Sequence, residues 1–218
     1  MALIVYSGGL DSTVLLHLLK SKNEATEALL VDYGQKHKKE LTYAVWNCNK
    51  LGVPYNIADL SSITKLFGAS SLTNLSVDIP NGDYADDNMK STVVPNRNMI
   101  MIAIASARAI AIGTTKVAYA AHSGDHAIYP DCRNEFADAL DCVLRLCHYD
   151  EISLYRPFVD MNKSQIVKLG AELKVDFSQT WSCYKGGDIH CGECGTCRER
   201  REAFSLAGVE DVTEYESL

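Results

Sequence analysis

The sequence predicts an α/β fold: a mostly parallel, doubly wound sheet with helices on both faces, carrying a small C-terminal metal-binding module. Three observations lead there. Short apolar runs rich in branched residues alternate with segments of helical period. A glycine-rich turn, Ser7-Gly8-Gly9-Leu10-Asp11-Ser12, joins the first such run to the first helix. Cys183, Cys191, Cys194 and Cys197 gather near the C-terminus at metal-ligand spacing. The expected division is residues 1–175 for the α/β domain and 176–218 for the module packed on it.

Bulk properties narrow the class. With 218 residues, 47% of them hydrophobic, the chain can bury one substantial core. The formal charge of −7 argues against broad nucleic-acid binding, which needs a basic face. No apolar run reaches transmembrane length, so no membrane partner is expected, and no signal peptide is visible. A cytoplasmic enzyme with reduced thiols is the expectation for the eight cysteines.

In chain order, Ala2–Tyr6 reads as a buried strand and Thr13–Lys20 as a helix. The turn between them suits an anion. The first amides of a helix lack intrahelical partners, and the macrodipole places partial positive charge there. Gly8 and Gly9 allow close backbone approach and positive φ. Ser7, Ser12 and Thr13 add hydroxyls. Neither the Walker A spacing nor the Gly-x-Gly-x-x-Gly fingerprint is present. Residues 28–34 form a second strand, ending where Asp32 and Tyr33 either approach an adenosine or simply build the turn with Gly34. A helix over 37–51 closes at Gly52, and 53–58 is a third strand.

Residues 60–93 break this rhythm and contain the acidic Asp83, Asp86 and Asp87. They read as a cover over the site or an interface segment. An apolar helix follows over 99–112, with Asn96 or Asn98 as its N-cap. Arg97 is a cation where the helix dipole disfavours one, which points to an anionic partner. Lys116–Ala121 is a fourth strand, opening into a polar loop over 122–133. There Tyr129 can stack on a planar ring, Asp125 or Asp131 can accept from a guanine-type edge, and Arg133 can grip a carboxylate. Asp131 is equally an N-cap for the next helix, over 133–148. A fifth strand over 151–156 and a helix over 162–170 complete the domain. Lys163 begins that helix and again suits an anion.

Cys183-x7-Cys191-x2-Cys194-x2-Cys197, with glycine after the second and third cysteines, fits a closed tetrahedral zinc site of structural kind. An iron–sulfur cluster is the alternative.

Ser-Gly-Gly-x-Asp-Ser resembles the pyrophosphate loop of the ATP pyrophosphatases. Three further patches follow in order: Val94-Pro95-Asn96-Arg97-Asn98, Tyr129-Pro130-Asp131-Cys132-Arg133, and Thr180-Trp181-Ser182-Cys183-Tyr184 leading into the cysteine triplet. Together they resemble the 7-cyano-7-deazaguanine synthases over nearly the whole chain. Asn96 stands where many members have glycine, and Gly124-Asp125-His126 departs from the family's Thr-Asp-Phe type of loop.

The resemblance implies an adenine nucleotide alpha hydrolase-like, Rossmann-like fold. It implies ATP, Mg²⁺ and Zn²⁺, and conversion of 7-carboxy-7-deazaguanine and ammonia to the nitrile. ATP would lie on Tyr6, Ser7, Gly8, Gly9, Leu10, Asp11, Ser12, Thr13, Asp32 and Tyr33. Asp11, Ser12, Arg97 and Lys163 would serve catalysis. Arg97, Asp125, Tyr129, Asp131 and Arg133 would hold the substrate. A homodimer is implied as well. Two rivals stand beside this reading. A tRNA-modifying ATP pyrophosphatase would want a reactive cysteine pair and a basic surface. A zinc-knuckle module would use Arg198, Arg200 and Arg201 on nucleic acid.

Overall fold

The computed structural model describes residues 1–68, 70–83 and 87–217, without the side chains of Phe67, Asp87 and Asn88. Asp86 and the side chain of Asp87, two members of the acidic stretch, lie outside the described residues. Five parallel strands form one sheet of order β3-β2-β1-β4-β5. They are β1 (Ala2–Val5), β2 (Ala25–Asp32), β3 (Tyr55–Asp59), β4 (Lys116–Ala118) and β5 (Ser153–Tyr155). The connecting helices are α1 (Leu10–Ser21), α2 (Lys39–Leu51), α3 (Arg97–Ala111), α4 (Asn134–Leu146) and α5 (Lys163–Glu172). A further helix, α6 (Gly195–Ala207), follows the cysteines.

The central strands are apolar on both faces because helices cover both faces. Ala2, Ile4 and Tyr6, with Ala28, Leu30 and Ala118, enter one core beside α1, α2 and α5. The alternate residues Leu3, Leu29, Val31 and Val117 enter the other, with Ile102 and Ala105 of α3 and Leu140 and Leu144 of α4. The period-two pattern thus divides each strand between two cores. The register pairs Ile4 with both Ala28 and Ala118.

Several elements differ in their bounds from expectation, and three of the differences bear on the site. Helix α1 begins at Leu10, three residues early, because Gly9 already has the extended conformation of an N-cap (φ −72°, ψ 168°). Strand β4 ends at Ala118 rather than Ala121. Helix α6 was absent from the expected elements. Its Ala203 and Phe204 join the first core, and Phe204 meets the ring of Phe177 edge-on at 4.9 Å. The segment from residue 176 onward therefore shares the principal core.

Residues 60–93 hold two short 3-10 segments, Ser61–Phe67 and Asp87–Thr92. Leu72 and Met89 are fully buried in the second core. Asn81 bridges to Cys194, and Asp83 pairs with Arg198 at 3.0 Å. This stretch packs on the cysteine cluster.

Candidate active site

A cleft with about 1120 Å³ of unfilled space opens past the carboxyl ends of the central strands. Its walls include Val5 at the end of β1 with Tyr6 and Ser7 after it, Tyr33 after β2, and Tyr119 to Ala121 after β4. Strand order reverses between β1 and β4, which is where doubly wound folds bind ligands.

The glycine-rich loop forms one part of this wall. Ser7 and Ser12 hold each other through their hydroxyls at 3.1 Å, and Gly9 N–H donates to Ser7 Oγ at 3.1 Å. The loop is braced from behind. A Cβ on Gly8 would lie 2.2 Å from the carbonyl oxygen of Glu40, and φ there is +86°. Only glycine fits there, because of the packing against α2 and the positive φ. Gly9, expected to share the positive φ, has φ −72°. Trp181 N–H donates to the Gly8 carbonyl at 3.0 Å, tying the C-terminal segment to the loop.

A charged cluster surrounds Asp11. Lys163 Nζ lies 3.2 Å from Asp11 Oδ2 and 2.7 Å from Glu199 Oε2. His122 Nε2 lies 3.8 Å from Asp11 Oδ2 and 3.6 Å from Asp125 Oδ2, while His122 Nδ1 accepts from Gly124 N–H at 3.1 Å. Burial works against a charged Lys163, but Asp11, Glu199 and Asp125 outweigh it and hold its pKa above the usual lysine value. Asp11 Oδ1 is buried without a hydrogen-bond partner among the described residues.

Arg97 belongs to an aromatic cluster. Its guanidinium carbon lies 5.7 Å from the Tyr33 ring centre and 5.9 Å from that of Tyr129. Tyr129 Oη lies 2.7 Å from Thr92 Oγ1 and 3.3 Å from Tyr184 Oη. The Tyr184 ring tilts against His37 at 5.3 Å, and His37 Nε2 faces Glu40 Oε1 at 3.5 Å. Arg97 therefore does not swing into solvent. No carboxylate lies within ion-pair reach of it among the described residues. Its neighbour Asn96 has the left-handed conformation (φ 55°), which asparagine tolerates better than most residues. A glycine would suit the same position. Asn96 precedes α3 without a side-chain capping bond.

The structure thus brings Tyr6, Ser7, Gly9, Leu10, Asp11, Ser12, Tyr33, Arg97, Asp125, Tyr129 and Lys163 to one cleft. It does not bring Gly8, Thr13, Asp32, Asp131 or Arg133 to its lining. Thr13 is fully buried behind the loop, bonded to Gly9 O and Tyr6 Oη. Asp32 builds its own turn, accepting from Gly34 N–H at 2.9 Å and pairing with Lys38 at 2.8 Å. Asp131 caps α3 from a distance: its Oδ2 accepts from Asn98 N–H at 3.0 Å. The unpaired amides and dipole of that helix end attract the carboxylate. Arg133 is exposed, and its Nε donates to the carbonyl of His126 at 2.9 Å.

His37, Glu40 and Glu199 were missed. A histidine and a glutamate three residues apart, just beyond the end of β2, were the available signal for the first two. Nothing in the sequence marks Glu199, which α6 carries to Lys163.

The four cysteine sulfurs all lie within 4.8 Å of one another. Sγ of Cys197 is 3.9 Å from that of Cys191 and 3.5 Å from that of Cys194. Sulfurs at about 2.3 Å from one tetrahedral ion are ~3.8 Å apart, so a single ion fits. Backbone N–H groups of Glu193 and Cys194 point at Cys191 Sγ at 3.4 and 3.3 Å. The cluster suits a metal ion. Arg200, offered to nucleic acid in one rival reading, is buried and donates to Phe177 O, Thr180 Oγ1 and Ser182 Oγ.

This sheet order, the loop leaving β1 for α1 and the cleft at the reversal define an α/β protein of the pyrophosphate-loop class. The fold matches the U34-tRNA thiolase NcsA from Methanococcus maripaludis, solved with its [4Fe-4S] cluster, at TM-score 0.52 and 16% identity, covering 94% of this chain and 64% of that one. At that identity only the fold is shared. The family model described as queuosine biosynthesis protein QueC matches residues 1–208. A 7-cyano-7-deazaguanine synthase from Caldicellulosiruptor bescii is 50% identical over 215 residues, 99% of this chain and 97% of the relative. One from Rhizobium rhizogenes is 52% identical over 216 residues, 98% of this chain and 91% of the relative. The chain belongs to the QueC family and is an enzyme of queuosine biosynthesis, a ligase forming carbon–nitrogen bonds. Among the described residues no helix is long and apolar enough to cross a membrane.

Proposed function

We propose that the chain converts 7-carboxy-7-deazaguanine and ammonia to 7-cyano-7-deazaguanine, adenylating first a carboxylate and then an amide in the same cleft. The substrate carboxylate attacks the α-phosphorus of ATP and pyrophosphate leaves. Ammonia attacks the acyl-adenylate and AMP leaves, giving the amide. The amide oxygen attacks the α-phosphorus of a second ATP and pyrophosphate leaves; loss of AMP and of both protons on the nitrogen then gives the nitrile. The observation that carries this reading is the joining, in one cleft, of an anion-suited loop and an aromatic cluster around Arg97.

Each residue has a task that needs no covalent nucleophile. Ser7, Ser12 and the amides at the start of α1 bind pyrophosphate oxygens. Lys163 and Arg97 offset charge on the phosphates as the leaving group departs. Tyr33 and Tyr129 flank a planar ring. Asp11 is the candidate Mg²⁺ ligand: its buried, unpartnered Oδ1 suits a cation accompanying ATP. The cysteine site holds zinc and anchors a C-terminal module over 176–218. The active form is a homodimer.

Synthetic 7-amido-7-deazaguanine is expected to yield the nitrile without added ammonium, with one AMP per nitrile. The carboxylate should require ammonium and form two. Mass spectrometry and nucleotide chromatography read both. An inert amide, or ADP in place of AMP, would overturn the mechanism.

Ser12→Ala is expected to lower turnover on the order of 100-fold, the usual cost of one charge-stabilising donor. Its melting temperature should stay close to that of the parent, since Ser7 retains its bond to Gly9 N–H. Pyrophosphate release at near-parental rate would remove the loop from the mechanism.

A further inference from the structure

The mechanism above gives Glu40 no task, yet its carboxyl is built into the cleft. It sits in the first turn of α2, and its carbonyl oxygen packs against Gly8 of the anion loop. Its side chain is 10% exposed and lines the cleft. Oε1 accepts from Gln35 Nε2–H at 3.0 Å and faces His37 Nε2 at 3.5 Å. Oε2 has no hydrogen-bond partner among the described residues. Burial lifts the pKa to about 8, against the opposing pull of the Gln35 amide and of Arg97. His37, facing it, is itself held neutral by burial, its pKa lowered to about 3. A carboxyl in this setting, with one N–H donor, has fewer than would hold it ionised.

The surroundings specify what kind of donor fits. Tyr184 leans on His37, and Tyr33 and Tyr129 flank Arg97, so the space beside Glu40 has aromatic walls and one cation. That suits a flat heterocycle with N–H groups along one edge. A guanine-type edge offers two adjacent donors, the ring N1–H and the 2-amino group, which match the two oxygens of a carboxylate. An adenine edge sets one donor beside an acceptor and matches it less well. Asp131 does not line the cleft, and Asp125, which does, turns its Oδ2 to the His122 ring and backbone N–H at 3.6 and 3.5 Å, so Glu40 is the carboxyl better placed for this edge.

We propose that Glu40 is the residue that selects the deazaguanine ring, accepting from its N1–H and 2-amino groups. The assignment rests on the substrate proposed above. Because Glu40 also packs against Gly8, it sets the ring at a fixed place relative to the phosphates through both rounds of adenylation.

Calorimetric titration of the whole protein tests this with 7-carboxy-7-deazaguanine, its analogue lacking the 2-amino group, and ATP. Parental protein is expected to bind the analogue about ten- to a hundredfold more weakly, since a buried acceptor loses its donor. Glu40→Gln should bind both bases with the same, weakened affinity and bind ATP as the parent does. Retained ATP binding also shows that the variant folds, and the comparison on parental protein needs no variant. Parental protein that ignores the 2-amino group overturns the assignment alone. Glu40→Gln that loses ATP but not the base overturns it in favour of adenine. Parental protein that binds ATP but neither base overturns the substrate reading, and the assignment falls with it.

Discussion

Replacing Lys163 by methionine is expected to lower turnover by at least on the order of 100-fold and to destabilise the fold. The ammonium sits 3.2 Å from Asp11 and 2.7 Å from Glu199 and is only 14% exposed. Removing it leaves carboxylates facing one another in a buried cluster, and breaking such a pair costs about 3–5 kcal/mol. For a chain of this size that is a fall of roughly 6–20 °C in melting temperature. Since the folded pKa of Lys163 is raised, its stabilisation is complete at neutral pH and fades only as pH rises through that folded value.

The two effects separate. Combining Lys163→Met with Glu199→Gln removes a negative charge and should recover part of the lost stability while turnover stays low. Thermal melts and pyrophosphate release measure the two. A single variant with near-parental turnover would show that Lys163 only holds the helices together. Recovery of turnover in the double variant would mean the same.

The second large effect is expected at the cysteines. Cys194→Ser should reduce bound zinc from one ion per chain to a small fraction and lower the melting temperature by more than any loop substitution. Structural zinc contributes on the order of 10 kcal/mol in small domains. The four sulfurs are buried, and α6 starts at the residue after Cys194. That helix carries Glu199 to Lys163, Arg200 to Thr180 and Ser182, and Phe204 to the core. Metal loss therefore reaches the cleft through packing rather than through chemistry. The surviving folded fraction should retain its product ratio of AMP to nitrile. Elemental analysis and a visible spectrum decide the metal. Iron with a broad charge-transfer absorption would refute zinc, and a stable metal-free variant would refute the structural role.

The parts of the site that were legible in the sequence are those written in adjacent residues. The Ser7–Ser12 loop was readable as a turn at the cleft because a strand, two glycines and a helix start follow one another without a gap. The cysteines were readable because spacing alone limits how thiolates can share one ion. Arg97 was readable as a cation at the wrong end of a helix, and the structure gives it Tyr33 and Tyr129 rather than solvent.

Asp131 shows where such reading stops. Its position, two residues past a tyrosine at a strand's polar exit, suited base recognition. The partner that claims it is Asn98 N–H at 3.0 Å, thirty-three positions away in the chain. A lone carboxylate in sequence carries no mark of which unpaired amide it will meet. Glu40 and Glu199 are the converse. Each reads as an ordinary helical glutamate, and each becomes a buried acid only when another element closes over it.

By itself, then, the sequence determined the alternating strands and helices, the glycine-rich loop between β1 and α1, the grouping of the cysteines and the family, because each depends on neighbours within a few residues or on chain-wide similarity. Only the tertiary structure decided which charges meet: Lys163 with Asp11 and Glu199, Asp131 with α3, Glu40 with the cleft. Burial is what makes those choices matter. A charge in water needs no particular partner, whereas one withdrawn from water must find its counterpart on another element, and strand order and helix packing set which one that is.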